Sequence, residues 1–496
     1  MDHSKHRIER SAGVLLPASS LPSPYGIGAF GEDARSWIDF LRDAGQSFWQ
    51  TLPLNPVDDT GSPYQSVSAF AGDANYIDLD TLAGEGLLDA ADYADAGRSP
   101  ADRRVGYEEL SRSREPVLRK AASRFTDAEA LESFSERNRW AGDYALYMTI
   151  KASQGGRPWH EWEEPLRARR PGALETLKTE LADDVRYHTF TQYQFRRQWR
   201  ALRGYANARN VRIIGDMPIY VSLDSADVWA NPGAFMLGGD LLPTGVAGYP
   251  PDALSDYGQL WGNPLYDWEV METDGYSWWI ERLRSSAELY DVTRLDHFRG
   301  FESYYNIPYG GAPADGRWIP GPGKRFIDAI NREMPDARFI AEDLGFPREE
   351  VRELLEYSGF PGMNVLQFAF DPLGDGDNRP YKYGVNTVVY PGTHDNDTVK
   401  GWGENTDKLY TGHAMEYMNI RDMDDLPDAM IRAAMQSAAD LAIIQMQDWL
   451  GLGSEARMNT PSTVGGDNWR WRLRRDDLSG SLAARMAKLT TTYDRA

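Results

Sequence analysis

Eight short runs of β-forming residues recur along the chain, each closed by polar, proline or glycine residues. They occupy 12–17, 48–56, 211–221, 291–298, 337–345, 362–370, 387–397 and 456–463. Helical patterns lie between them. In 33–45, Trp37, Phe40, Leu41 and Ala44 fall on one helical face and Gly45 is a stop signal. A second helix is read through 428–451, just before the eighth run. Strands that alternate with helices pair in parallel, because a parallel connection needs a crossover of a dozen residues or more. Eight such units predict an α/β chain closed into a (β/α)8 TIM barrel, which takes about 250 residues.

The chain has 496 residues, so the surplus must sit in insertions. The stretch 80–210, between the second and third strands, is charged, alanine-rich and helical in character. The stretch 222–290, between the third and fourth, is rich in glycine, proline and tryptophan. No low-complexity linker or internal repeat separates them, so residues 1–496 read as one catalytic barrel carrying two inserted lobes.

Functional residues of such a barrel collect at the C-terminal ends of its strands. Acidic residues stand there repeatedly: Asp216 after the third strand, Asp296 after the fourth, Glu342 and Asp343 after the fifth, Asp395 and Asp397 after the seventh. The fourth run reads VTRLDHFRG and places Arg294, Asp296 and His297 within four residues. Charges do not enter a strand end without compensation, and Arg294 is there to hold and neutralise Asp296. Converging carboxylates serve either a divalent metal, here with His297 and His394, or the breaking of a glycosidic bond. The 16 Trp, 26 Tyr and 17 Phe favour sugar, whose rings stack on aromatic faces.

Other classes are disfavoured. The net charge of −22 opposes nucleic acid and anionic membrane surfaces. The absence of cysteine removes disulfides and thiolate chemistry. No signal-peptide pattern or membrane-length apolar run is present, and a cytoplasmic location is expected. Gly26–Gly31, GIGAFG, fits a dinucleotide fingerprint, but two prolines in ASSLPSPY part it from its strand. It reads as a rim loop.

Long ordered strings then carry a resemblance over nearly the whole chain. They are GVLLPASSLPSPYGIGAFG, SPYQSVSAFAG, GDMPIYVSLDSADVWANP, GQLWGNPLYDW, RLDHFRG, AEDLG, GTHDND, GLGSEARMNTPST and NWRWR. The sequence resembles the amylomaltases, the 4-α-glucanotransferases of glycoside hydrolase family 77. The resemblance implies a barrel of the α-amylase type with large, mostly helical insertions at the C-terminal face of the strands. It implies a retaining two-step transfer of α-1,4-glucan segments between maltooligosaccharides through a covalent glycosyl-enzyme. Asp296 is then the nucleophile, Glu342 the general acid/base and Asp395 a transition-state stabiliser. Ser62, Tyr64, Asp216, Trp261, Arg294, Phe368, His394 and Asn459 match positions that line the sugar sites. No metal, cofactor or obligate protein partner is implied. Where relatives carry two consecutive aromatics after PPD, this chain has Ala253 and Leu254, with Tyr257 nearby. That departure bears on the alternative of a maltooligosaccharide hydrolase in the same fold. A catalytically idle glucan-binding protein is the third reading, and the presence of all three carboxylates opposes it.

Overall fold

A computed structural model describes residues 6–96, 103–251, 257–344, 348–371 and 379–496. Its centre is a ring of eight parallel strands: β1 (Ser11–Leu15), β2 (Phe48–Gln50), β3 (Arg212–Met217), β4 (Val292–Leu295), β5 (Phe339–Ala341), β6 (Gly362–Val365), β7 (Thr387–Tyr390) and β8 (Leu441–Gln445). Neighbours follow chain order, and β1 pairs with β8 in register from Ser11↔Leu441 to Leu15↔Gln445. Between β5 and β6 the ring is held by single bonds. The Ala341 N–H donates to the Pro361 carbonyl at 2.9 Å, and the Met363 N–H donates to Asp343 at 2.7 Å. The protein is a (β/α)8 barrel.

Seven strands fall where the sequence pattern puts them; the eighth does not. Residues 456–463 form no strand, and β8 lies inside the stretch read as one helix. That helix stops at Gln436, where the Ser437 hydroxyl turns back to the Ala434 carbonyl. Every residue of β8 is buried. A short strand buried on both faces shows no alternation, so periodicity cannot tell it from buried helix. The first helix meets expectation: it spans Glu32–Asp43, buries Trp37, Phe40 and Leu41, and ends before Gly45 at φ +67°.

Below the ring, Arg495 is fully buried and donates to the carbonyls of Met435, Ser11, Asp440, Ser437 and Ala439. Arg10 reaches three of those five carbonyls from β1's side, on Met435, Ser437 and Ala439. These two arginines satisfy main-chain groups that burial would otherwise leave unpaired.

Between β2 and β3 run five helices of ten residues or more, the last being Ala182–Asn207. That helix returns to the barrel wall, where Trp199 packs against Trp49 and Tyr290. Above β3 and β4 stands a four-stranded antiparallel sheet. Gly245–Tyr249 and Gln259–Pro264 come from before β4, and Ser303–Pro308 and Arg317–Pro320 from after it. Neither pair was visible in the sequence pattern. In GIGAFG the glycine space is filled by protein: a Cβ on Gly28 would lie 1.8 Å from the Ala18 carbonyl oxygen. The motif is a packed loop.

Several buried carboxyls set the pH response of this fold. Burial raises Asp73 and Asp227 to about 6, and Asp343 and Asp448 to about 7. Their ordinary value is 3.8, so between these values the native state keeps protons that the unfolded chain has lost. Stability therefore falls as pH rises through the folded values. Lowering the pH from about 8 to about 6 should return on the order of 1 kcal/mol from each of Asp343 and Asp448. Relief of self-repulsion in an acidic chain acts in the same direction. Burial pushes His188 and His297 down to about 4, so below about 6.5 they oppose any further gain. Thermal melts should thus show Tm higher by about 1–3 °C near pH 6 than near pH 8. Asp448→Asn should flatten part of that slope, and a Tm that climbs with pH over this window would contradict the assignment.

Candidate active site

The parallel register sets Asp216 of β3 directly beside Arg294 of β4. Arg294 is the hub of the site. Its Nη1 donates to both oxygens of Asp216 at 2.8 Å and to Oδ1 of Asp296 at 2.9 Å. Arg294 and Asp216 are buried beneath the cleft, whereas the Asp296 side chain keeps 26% of its surface open. A buried guanidinium is tolerable because two carboxylates neutralise it, and it opposes the rise that burial imposes on Asp296.

Glu342 follows β5. Its Oε2 accepts the His297 N–H at 2.8 Å, and its Oε1 accepts the Leu344 N–H at 2.8 Å. His297 adopts φ 49°, ψ 49°, a left-handed conformation uncommon outside glycine. Strain of that sort collects at functional sites, and here it accompanies an N–H directed at a carboxylate. Burial pushes Asp296 upward while Arg294 pulls it back down, with Asp216, Glu342 and Asp395 adding to the rise. Burial also raises Glu342, opposed by Arg294 and by the two backbone N–H donors. Groups this close release their protons in steps that belong to the pair.

His394 and Asp395 follow β7. The Tyr64 hydroxyl donates to Asp216 Oδ2 at 2.6 Å and meets His394 Nε2 at 2.9 Å, the two rings stacking at 5.4 Å. Burial lowers His394, so its imidazole is neutral. Asp395 Oδ1 accepts from Asn459 Nδ2 at 2.6 Å, and the Asn459 N–H donates to the His394 carbonyl at 3.1 Å. Trp261, on the antiparallel sheet, sets its ring edge-on to His297 at 5.0 Å.

The structure thus gathers Asp216, Arg294, Asp296, Glu342, Tyr64, His394, Asp395 and Asn459 into one linked cluster, with Trp261 against His297. Ser62 shares the Tyr64 loop, and its backbone N–H bonds to Thr60 Oγ1 at 3.5 Å. Phe368 stands on the turn after β6 and is 42% exposed. Ala253 and Leu254 fall outside the described residues, and Tyr257 beside them is 87% exposed. Among the described residues no three His, Asp or Glu side chains gather in a metal-holding group. Their lone pairs are engaged instead by Arg294, Asn459 and backbone N–H groups. Three contributors were not singled out from the sequence: the His297 N–H, Arg457, and Trp469, whose ring lies against Tyr64 and His394. Arg457 and Trp469 sit within the strings ARMN and NWRWR, where proximity to Asn459 was the available signal.

A (β/α)8 barrel whose strand ends carry Asp296, Glu342 and Asp395 around a buried arginine defines the class of enzymes that make and break glycosidic bonds. The family model described as 4-alpha-glucanotransferase, glycoside hydrolase family 77, matches residues 16–478, and the chain belongs to that family. The 4-alpha-glucanotransferase of Streptococcus pneumoniae is 46% identical over 494 residues, covering 98% of each chain. That of Thermus thermophilus is 43% identical, covering 98% of this chain and 99% of its own. The solved amylomaltase from Streptococcus agalactiae in complex with acarbose superposes with a TM-score of 0.95 at 39% identity, over 98% of this chain and 100% of that one.

Proposed function

We propose that the protein disproportionates maltooligosaccharides, moving α-1,4-glucan segments from donor to acceptor with retention. The observation that carries this reading is the single Arg294 guanidinium bonded to Asp296 at 2.9 Å, with Glu342 fixed at the end of the neighbouring strand by the His297 N–H. The contact with Arg294 keeps negative charge on Asp296 and leaves the proton of the pair on Glu342. Asp296 Oδ attacks C1 of the donor, the bond from C1 to the glycosidic oxygen breaks, and Glu342 passes its proton to that oxygen. Glu342, now ionised, takes the proton of an acceptor 4-hydroxyl. The hydroxyl oxygen bonds to C1 as the ester to Asp296 breaks. Asp395, steadied by Asn459, and neutral His394 hold ring hydroxyls during both steps. Ser62, Tyr64, Asp216, Trp261 and Phe368 complete the sugar-binding walls, and the regions 80–210 and 222–290 are lobes built on one barrel. No metal or organic cofactor takes part in this scheme, since two carboxyls supply the covalent and proton chemistry.

The test is incubation with maltotriose and separation of the products by size. Transfer yields glucose together with a ladder of longer oligosaccharides. Glucose and maltose alone would make the protein a hydrolase, and unchanged maltotriose would remove both readings. Cell fractionation tests the cytoplasmic location, which the lack of cysteine favours.

A further inference from the structure

Asp395 has 44% of its side-chain surface open, against 26% for Asp296. Packing therefore cannot be what aims it. Besides Thr393 and His394 in its own loop, Asp395 is held by the loop after β8, which is laced to the loop after β7. Two of the laces belong to Asn459, through its side chain and its N–H. The third belongs to Arg457. Its Nη2 donates to the main-chain carbonyl of Asp395 at 2.7 Å, and its Nε donates to the carbonyl of Asn459 at 2.7 Å.

A guanidinium normally seeks a carboxylate, and its flat fork suits two acceptors held at a fixed spacing. Here the fork spans two carbonyls, one on each side of the Asp395–Asn459 contact. It fixes the backbone of the residue whose carboxylate faces the cleft and the backbone of the residue that grips that carboxylate. Arg457 touches neither Asp296 nor Glu342 through any of these bonds. We infer that Arg457 is a positioning residue, which sets the aim of Asp395 on the sugar ring by clamping the loops after β7 and β8 together. The inference rests on the proposed role of Asp395 in the reaction.

Positioning of this sort shows in kcat more than in KM, because Asp395 serves the transition state more than the bound donor. Arg457→Met should lower kcat by about 10- to 100-fold with donor KM changed by less than about threefold. Arg457→Lys, able to keep one of the two bonds, should fall between. A loop that merely needed Arg457 to fold would give the same loss whatever stands at 395. The deciding measurement is therefore a double-mutant cycle with Asp395→Asn, using α-maltotriosyl fluoride as donor and counting all donor consumed, by water or by sugar. In the Asp395→Asn background the loss of Arg457 should cost at most about threefold, because the group it aims is already gone. Equal losses in both backgrounds would overturn the inference. So would a Tm drop in Arg457→Met and Arg457→Lys that accounts for the activity lost. Because all consumption is counted, a wild-type protein that only hydrolyses would refute the transferase reading while the cycle still decides the role of Arg457.

Discussion

Asp296→Asn is expected to give a folded protein whose turnover of maltotriose has fallen by about 10⁴-fold or more, the scale on which loss of a nucleophile acts. An amide cannot form the glycosyl ester, and no second carboxylate can take its place. Asp216 is buried below and shares Arg294, while Glu342 is held off by two N–H donors. The fold should not suffer. Arg294 keeps both of its bonds to Asp216, and the substitution removes a carboxyl whose ionised form is disfavoured by burial and by three acidic neighbours. Tm near pH 8 should be equal to or above that of the wild type. Trapping the wild-type intermediate with a fluorinated glycosyl fluoride and mapping the labelled peptide should place the sugar on Asp296. A label on Glu342 or Asp395 would reassign the nucleophile.

For Glu342→Gln the expected result depends on the leaving group. With maltotriose the departing oxygen needs a proton, and turnover should fall by about 10²- to 10⁴-fold. With α-maltotriosyl fluoride no proton is needed, so the first step survives. The second step still lacks its base, and the glycosyl-enzyme should accumulate, visible as a mass increase on the intact protein. Azide, a nucleophile that needs no deprotonation, should relieve the block and release a glycosyl azide of retained configuration. The glutamine can still accept the His297 or Leu344 N–H through its oxygen, so the cleft should keep its shape. Equal losses with both donors and no azide rescue would take the acid/base role away from Glu342.

Much of this site was legible because a (β/α)8 barrel converts strand-end position into spatial proximity. Asp216, Asp296, Glu342 and Asp395 lie far apart in sequence, yet each lies within a run that the pattern identifies. Arg294 could be matched to Asp296 from their two-residue separation alone. Its bond to Asp216 depends on the β3–β4 register, which no local pattern encodes. The eighth strand escaped because Leu441–Gln445 has no polar face to alternate. The His297 contribution escaped for a different reason: it is a backbone N–H turned by φ of 49°, and side-chain chemistry read from sequence sees only an imidazole. Arg457 likewise acts on carbonyls, so no acidic partner in the sequence announced it. The residues alone left metal and sugar both open, and the contacts made by each carboxylate, rather than the count of carboxylates, are what favour sugar.

The pairing of β1 with β8, stitched from below by Arg10 and Arg495, has a consequence for how activity arises during folding. Every contact of Asp395 with Asn459 joins the seventh unit to the eighth, and Tyr64 of the second unit reaches across to His394 of the seventh. The C-terminal half holds Asp296, Glu342 and Asp395, but Tyr64 and Asp216, which brace His394 and Arg294, come from the N-terminal half, so neither half holds the complete site. Such long-range pairings form late and slowly. The catalytic centre has no partially competent precursor: helices and local turns can be in place while the chain is still inert, and turnover begins only when the first and last strands meet.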